Sequence, residues 1–295
     1  MTTGTLAPGE FVADSALLFP ASPSLQCVEE LNPDADEDEH GSRVLFHCTV
    51  KGRRFSFGMR DASIGVLLGP PYETSKVPSK PLGAVDPFFF DPGYNLFAAT
   101  GFSLWPESRL MLEALTTPLP RFDQIQRALQ NGRIIELGAG IGMVGTCLVD
   151  YCQHVCLSDL PTLVEHGLEP NLERNAVPEQ LASTLVIDWT CPVPEQAKQH
   201  TWDLVVANGC LLIKKFYQHA LDTADALMSK RTQFLFTYQR RGVNEMYTTL
   251  EQVLDAIHKR GWKSECLAWR LVSVGRDGAE LDSRNELFLW RVTKN

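Results

Sequence analysis

The chain has 295 residues, 44% of them hydrophobic and 21% charged, a balance that can bury a real core and excludes wholesale disorder. Its formal net charge of −9 is concentrated, because residues 29–40 (EELNPDADEDEH) carry seven acids and no Lys or Arg, leaving about −2 for the rest. A near-neutral remainder argues against a general electrostatic grip on nucleic acid.

The acidic run is expected to be a solvated loop, with a docking strip for a basic partner as the alternative. No stretch approaches the roughly 18 apolar residues of a membrane-spanning helix. Residues 1–15 (MTTGTLAPGEFVADS) have neither a basic n-region nor an apolar h-region, so the expected compartment is the cytoplasm, with nuclear access open. Eight cysteines, at 27, 48, 147, 152, 156, 191, 210 and 266, form no CxxC pair, which points to buried reduced thiols rather than a zinc knuckle.

Residues 1–97 read as a β-rich accessory region. Its strongest element is 44–59 (VLFHCTVKGRRFSFGM), two strands joined across Lys51-Gly52 as a hairpin. Residues 63–92, rich in Pro and Gly, read as an irregular connection. From residue 98 onward strands and helices alternate. Strands are expected at 133–137, 154–158, 184–187, 202–207 and 233–238, with helices at 143–151, 162–175, 214–230 and 243–259. Two further β-rich runs, 265–274 and 286–292, flank the turn signal Gly275-Arg-Asp-Gly278. The alternation implies a parallel sheet covered on both faces, and the final pair an antiparallel hairpin at one edge.

Gly138, Gly140, Gly142 and Gly145 follow a buried strand and open a helix. Residues without Cβ let backbone N–H groups approach a ligand at the positive helix terminus. Asp159 lies nineteen residues after Gly140, at the end of the second strand, where a carboxylate can accept from both ribose hydroxyls. That pattern fits a nicotinamide cofactor or S-adenosylmethionine. Glu136 in E-L-G-A-G-I-G favours the second, since its charge suits a sulfonium and repels a diphosphate. Asp188-Trp189, after the third strand, offers an acceptor for an adenine amino group and an indole to cover its ring.

The ordered set T-G-F-S-L-W-P (100–106), E-L-G-A-G-I-G (136–142), L-S-D-L-P (157–161), N-L-E-R-N (171–175) and I-D-W (187–189) resembles the seven-β-strand methyltransferase family 16, the lysine-methyltransferase-like group. The resemblance covers residues 98–293. It implies a Rossmann-like α/β domain over 98–295 with strand order 3-2-1-4-5-7-6 and S-adenosylmethionine as cofactor. It places Glu136, Gly138 and Gly140 at the methionine part, Asp159 at the ribose, and Asp188 with Trp189 at the adenine. Trp105 would close over the cofactor, and Ala139, Leu160 and Ala207 would complete the pocket.

One family feature is missing. Lysine-directed members carry D-x-x-Y after the fourth strand, whereas this chain has Asn208-Gly209-Cys210-Leu211-Leu212. Ungapped spacing puts Gly209 and Leu212 at the acid and tyrosine positions; a one-residue shift puts Asn208 and Leu211 there. Members from plants and protists that lack D-x-x-Y look closer, matching residues 210–217 in part. Asn208 can orient a substrate but supplies no charge, so Asn208 and Tyr238 are the catalytic candidates, with Arg240 also able to border the substrate.

The expected function is methyl transfer to a protein lysine. A non-catalytic binding module, a small-molecule N-methyltransferase and a nicotinamide-dependent reductase are the rival readings.

Overall fold

The computed structural model describes residues 11–22, 25–33, 44–59, 73–74, 100–240, 245–272 and 286–295. The turn signal at 275–278, most of the acidic run and, apart from 73–74, the connection at 63–92 lie outside them.

Four short strands near the start of the chain form one sheet: β1 (Gln26–Leu31), β2 (Val44–Val50), β3 (Arg53–Met59) and β4 (Glu73–Thr74), in the order β3-β2-β1-β4. The predicted hairpin is present, with Val44 opposite Met59 and Val50 opposite Arg53. Its two-residue turn has positive φ at both Lys51 (47°) and Gly52 (82°), the geometry that suits the right-handed twist of paired strands.

Seven strands form the main sheet: β5 (Arg133–Leu137), β6 (His154–Asp159), β7 (Ala182–Val186), β8 (Leu204–Asn208), β9 (Gln233–Gln239), β10 (Lys263–Leu271) and β11 (Glu286–Thr293). Their order is β10-β11-β9-β8-β5-β6-β7. Counted from β5 as the first strand, this is the predicted 3-2-1-4-5-7-6 read from the other edge. The five strands β5 to β9 pair in parallel, and β11 is antiparallel to both β9 and β10.

Both faces of the sheet are buried, as its continuous apolar runs require. Alternate residues go to opposite sides. Ile134, Leu157, Val206 and Leu235 join the cluster that also contains Phe46, Phe55 and Phe57 of the small sheet. Ile135, Leu137, Val205, Ala207, Phe236 and Tyr238 belong to the cluster on the other face.

The helices are α1 (Pro106–Thr116), α2 (Asp123–Leu129), α3 (Met143–Cys147), a composite α4, α5 (Glu195–Lys198), α6 (Tyr217–Leu227) and α7 (Leu250–Lys259). The composite runs from Pro161–Leu163 through a π turn at Val164–Leu168 to Glu169–Arg174. Three helices are shorter than their periodicity suggests. In particular α7 begins at Leu250 rather than 243, because Thr249 caps it. Thr249 Oγ1 accepts from the Gln252 N–H (3.2 Å), and Gln252 Oε1 accepts from the Thr249 N–H (3.0 Å), a reciprocal capping box. No helix among the described residues is long and apolar enough to cross a membrane.

The two asparagines of N-L-E-R-N fasten the small sheet to the main one. Asn171 Oδ1 accepts from the Gly58 N–H (2.7 Å), while its Nδ2 donates to the Ile141 carbonyl (3.0 Å) in the glycine loop. Asn175 Oδ1 accepts from the Ser56 N–H, and its Nδ2 donates to the Ser56 carbonyl, both at 2.7 Å. Replacing either by Ala strands backbone groups at this seam, which costs about 1–3 kcal/mol per orphaned group. Both Asn171→Ala and Asn175→Ala are expected to lower the urea unfolding midpoint. Unchanged midpoints in both would show that the small sheet adds nothing to the stability of the whole.

Candidate functional site

Parity along the parallel strands decides which side chains meet at their carboxyl ends. Glu136 shares the face of Ile134, Asp159 that of Leu157, and Asn208 that of Val206. All three therefore converge on one side of the sheet, at the end where an open parallel sheet offers a crevice. Ala207 and Tyr238 fall on the opposite parity and point into the other core.

A cavity of about 630 Å³ opens at this end, within the range of sites for drug-sized ligands. Its floor is the glycine loop. Gly138 (φ 63°) and Gly140 (φ 59°) adopt left-handed backbone, which glycine enters without a steric penalty. Space enforces the same choice. A Cβ on Gly140 would lie 2.7 Å from the Gly101 carbonyl oxygen, and one on Gly138 would lie 2.6 Å from Cys210 Sγ and 3.0 Å from the Trp189 ring. The loop is thus pinned between the segment before α1 and the indole that follows β7.

Asp159 braces the loop through its carboxylate. Its Oδ2 accepts from the Gly140 N–H and its Oδ1 from the Leu160 N–H, each at 2.8 Å. Burial pushes the Asp159 carboxyl up to about 6, against the two N–H groups that pull it down. Glu136 is more enclosed still. Its Oε2 accepts from the Gly145 N–H in α3, and its Oε1 from Asn208 Nδ2, both at 2.8 Å. Burial raises its carboxyl to about 7, with the two donors opposing and the Asp159 charge adding to the rise.

The remaining predicted contacts divide clearly. Asp188 and Trp189 border the cavity, and Asp188 Oδ1 accepts from the N–H and the hydroxyl of Thr190 (2.8 and 2.7 Å). Trp105 borders it as well, its Nε1 donating to the Thr100 carbonyl (3.0 Å). Glu136, Ala139, Leu160 and Asn208 line it too.

Ala207 does not, since it is buried on the far face of β8. Tyr238 does not either: it is 2% exposed, and its hydroxyl donates to the Thr248 carbonyl. Arg240 is held away by Glu251 (3.1 Å) and Glu286 (3.4 Å). The reading of Tyr238 and Arg240 as substrate-bordering groups is therefore corrected. Tyr238 lies near the end of β9 and Arg240 just past it, but parity turns Tyr238 into the other core and two ion pairs hold Arg240.

Sequence reasoning missed several residues of the wall: Glu107, Cys210, Lys215, Phe216 and Tyr247. Glu107 had a legible signal, being the acid that follows Trp105-Pro106 in the first turn of α1. Tyr247 had none. It reaches the site because its backbone bridges to Ile213, in the segment just after the loop that ends β8.

The lysine methyltransferase family matches residues 96–256. Among curated proteins, the chain is 24% identical over 161 residues to the protein-lysine methyltransferase METTL21E of Bos taurus, an alignment that takes in 52% of this chain and 53% of that protein. The chain thus spans about half the length of the curated relative it matches. Among solved structures, YcgJ of Bacillus subtilis aligns with a TM-score of 0.48, at 11% identity over 59% of this chain and 97% of that one. Magnesium protoporphyrin IX methyltransferase of Synechocystis PCC 6803, solved with bound SAH, aligns with a TM-score of 0.47, at 10% identity over 70% and 91% of the two chains.

The raised Glu136 carboxyl has a measurable consequence. Its folded value, about 7, lies above its ordinary 4.5, so its contribution to stability is complete below pH 4.5 and is lost as pH rises through 7. The gap from 4.5 to about 7 corresponds to roughly 3 kcal/mol. Glu136→Gln does not titrate. Wild-type stability relative to the Gln variant is therefore expected to decline between pH 5 and 8, measured by urea unfolding across that range. A constant difference would mean that Glu136 ionises alike in the folded and unfolded chain.

Proposed function

The chain belongs to the lysine methyltransferase family, whose methyl donor is S-adenosylmethionine, and we propose that it transfers a methyl group to the side-chain amine of a protein lysine. One observation carries the reading: a cavity gathers the tight glycine loop, the Asp159 carboxylate, the Trp189 indole and, among the described residues, four carboxyl groups in all against one ammonium, Lys215. Four acids suit a cavity that must receive two cations, a sulfonium and the lysine that approaches it.

The donor fits the residues present. The backbone of Gly138 and Gly140, where no Cβ has room, would lie against its amino-acid part. Asp159, already oriented by two N–H groups, keeps further lone pairs for ribose hydroxyls. Trp189 would cover the adenine, with Asp188 at its rim. Chemically, the donor supplies an electrophilic carbon on cationic sulfur: the acceptor's lone pair forms the new bond to carbon as the carbon–sulfur pair returns to sulfur, leaving a neutral thioether.

The protein then has three tasks: to hold the cation, to align the acceptor and to exclude water. Glu136 and Asn208 act through position in this scheme, Asn208 by keeping the Glu136 carboxyl turned toward the loop. The small sheet is a brace rather than a wall. Its strand β3 packs on α3 and α4, and none of its described residues borders the cavity.

The alternative of a binding module without catalysis is favoured by the neutral loop Asn208–Leu212, and labelling decides between the two. Incubating the protein with a cell lysate and tritium-methyl S-adenosylmethionine is expected to label a protein band on lysine. Asp159→Asn should abolish that label and weaken S-adenosylhomocysteine binding at least about tenfold by calorimetry. Because the Asp159 carboxyl stands near 6 and ribose hydroxyls donate to its ionised form, affinity should also fall as pH drops below 6. Binding without any labelled protein would favour the inactive module, and label confined to small molecules would favour a metabolite acceptor.

A further inference from the structure

The cavity spans the ends of several strands, and their order divides it. The groups that suit the donor follow β5, β6 and β7: the glycine loop, Asp159, and Asp188 with Trp189. Another part of the wall, made of Leu212, Ile213, Lys215, Phe216, Met246 and Tyr247, follows β8 and β9. Those strands lie on the other side of β5 in the sheet. An acceptor has to reach the donor's carbon from outside the donor's own contacts, and the β8–β9 half supplies that approach.

This half is a stitched frame. Ile213 pairs with Tyr247 as an antiparallel bridge. The Lys214 N–H donates to the Met246 carbonyl (2.9 Å), and the Thr248 N–H donates to the Leu212 carbonyl (2.8 Å). The Phe216 and Tyr217 N–H groups then both donate to the Ile213 carbonyl (2.9 and 3.0 Å). That bend leads the chain into α6 and carries Lys215, which is exposed.

Charge in the cavity is therefore layered. The carboxyl groups of Glu136 and Asp159 are buried, whereas the one ammonium among the described lining residues stands at the surface. Its Nζ lies 5.2 Å from the centre of the Phe216 ring, and among the described residues no carboxylate pairs with it. Even Glu245, exposed one residue before Met246, forms no ion pair with Lys215.

A cation in that position works against a bare lysine. The approaching ammonium meets a like charge before it meets the acids, which slows encounter and costs affinity. The same cation helps a lysine that carries a carboxylate at its side. The flexible four-carbon stem takes the lysine's charge inward, past Phe216, Tyr247 and the half-exposed Met246. Residues beside that lysine stay at the surface, level with Lys215.

We propose that Lys215 is a specificity-determining residue, which selects a lysine with an aspartate or glutamate beside it in the substrate protein. This rests on the lysine-directed reading above and narrows it. The contact lies at the entrance, away from the reacting atoms, so its effect belongs in KM rather than in kcat.

Three pools of lysine-centred peptides test it. Their neighbouring positions are drawn from neutral residues alone, from neutral residues with Asp and Glu, or from neutral residues with Lys and Arg. With the full chain and tritium-methyl S-adenosylmethionine, kcat/KM is expected to be at least about threefold higher for the acidic pool than for the neutral one, and lowest for the basic pool. Lys215→Glu should invert that order, Lys215→Arg should keep it, and added salt should flatten it. S-adenosylhomocysteine affinity, read by calorimetry, should stay within about threefold of wild type in both variants.

An unchanged order in Lys215→Glu overturns the proposal. So does a loss of S-adenosylhomocysteine affinity that follows the charge at 215, which would make Lys215 the partner of the donor's own carboxylate. If no pool is methylated but lysate proteins are labelled on lysine, the labelled protein becomes the probe. A drop of at least about fivefold in Lys215→Glu, with label kept in Lys215→Arg, then supports the proposal, and equal label in both overturns it. Methyl-lysine without preference for acidic neighbours leaves the lysine reading standing and removes this one. No methyl-lysine at all removes both.

Discussion

Glu136 is 2% exposed, and its two oxygens serve different parts of the molecule. One receives the Gly145 amide at the start of α3, and the other receives Asn208 at the end of β8. The glycine loop spans the gap between those anchors. The arrangement explains Gly145 as well as Glu136: a Cβ at 145 would lie 2.9 Å from the carboxylate and 2.3 Å from Leu157. A carboxyl group enclosed this way is costly unless its hydrogen bonds are complete. Here the cost is balanced by fixing two strands and a helix start in the one geometry that leaves a cavity above them.

From that constraint the rest of the site follows by parity. Neighbouring parallel strands in register show the same face, so Glu136, Asp159 and Asn208 must appear together. Their partners on the opposite face, Leu137, Ala207 and Tyr238, must disappear together into the other core. Above the sheet, α1 and the segment before it close the cavity from the side opposite to Trp189, with Gly101 against Gly140 and Glu107 against Gly209.

Much of this was legible in the residues. The alternation of strands and helices, the hairpin across Lys51-Gly52 and the positions of Glu136, Asp159, Asp188 and Trp189 at strand ends rest on local patterns, which survive without knowledge of packing, whereas the order of the seven strands comes from the family resemblance. Tyr238 shows where they end. Q-F-L-F-T-Y alternates plainly, but the alternation does not say which of its two faces meets the ligand. The start of α7 was legible in T-L-E-Q, a capping signal that the apolar periodicity from 243 obscured. Glu107 follows a motif visible in the residues, but its meeting with Gly209, like the arrival of Tyr247, depends on which helix or loop crosses which strand, and no spacing in a linear chain encodes that.

Cys210 shows what such crowding of acids does to a neighbour. Its thiol donates to the carbonyls of Leu137 (3.3 Å) and Asn208 (3.2 Å). Burial, followed by the charges of Asp159, Glu136 and Glu107, drives its pKa far above the usual range. Only the thiolate is a competent nucleophile. As a thiolate, a sulfur atom in the wall of a cavity for an alkylating sulfonium would invite attack on the protein itself; burial first, and the neighbouring carboxylates after it, keep that sulfur protonated and inert.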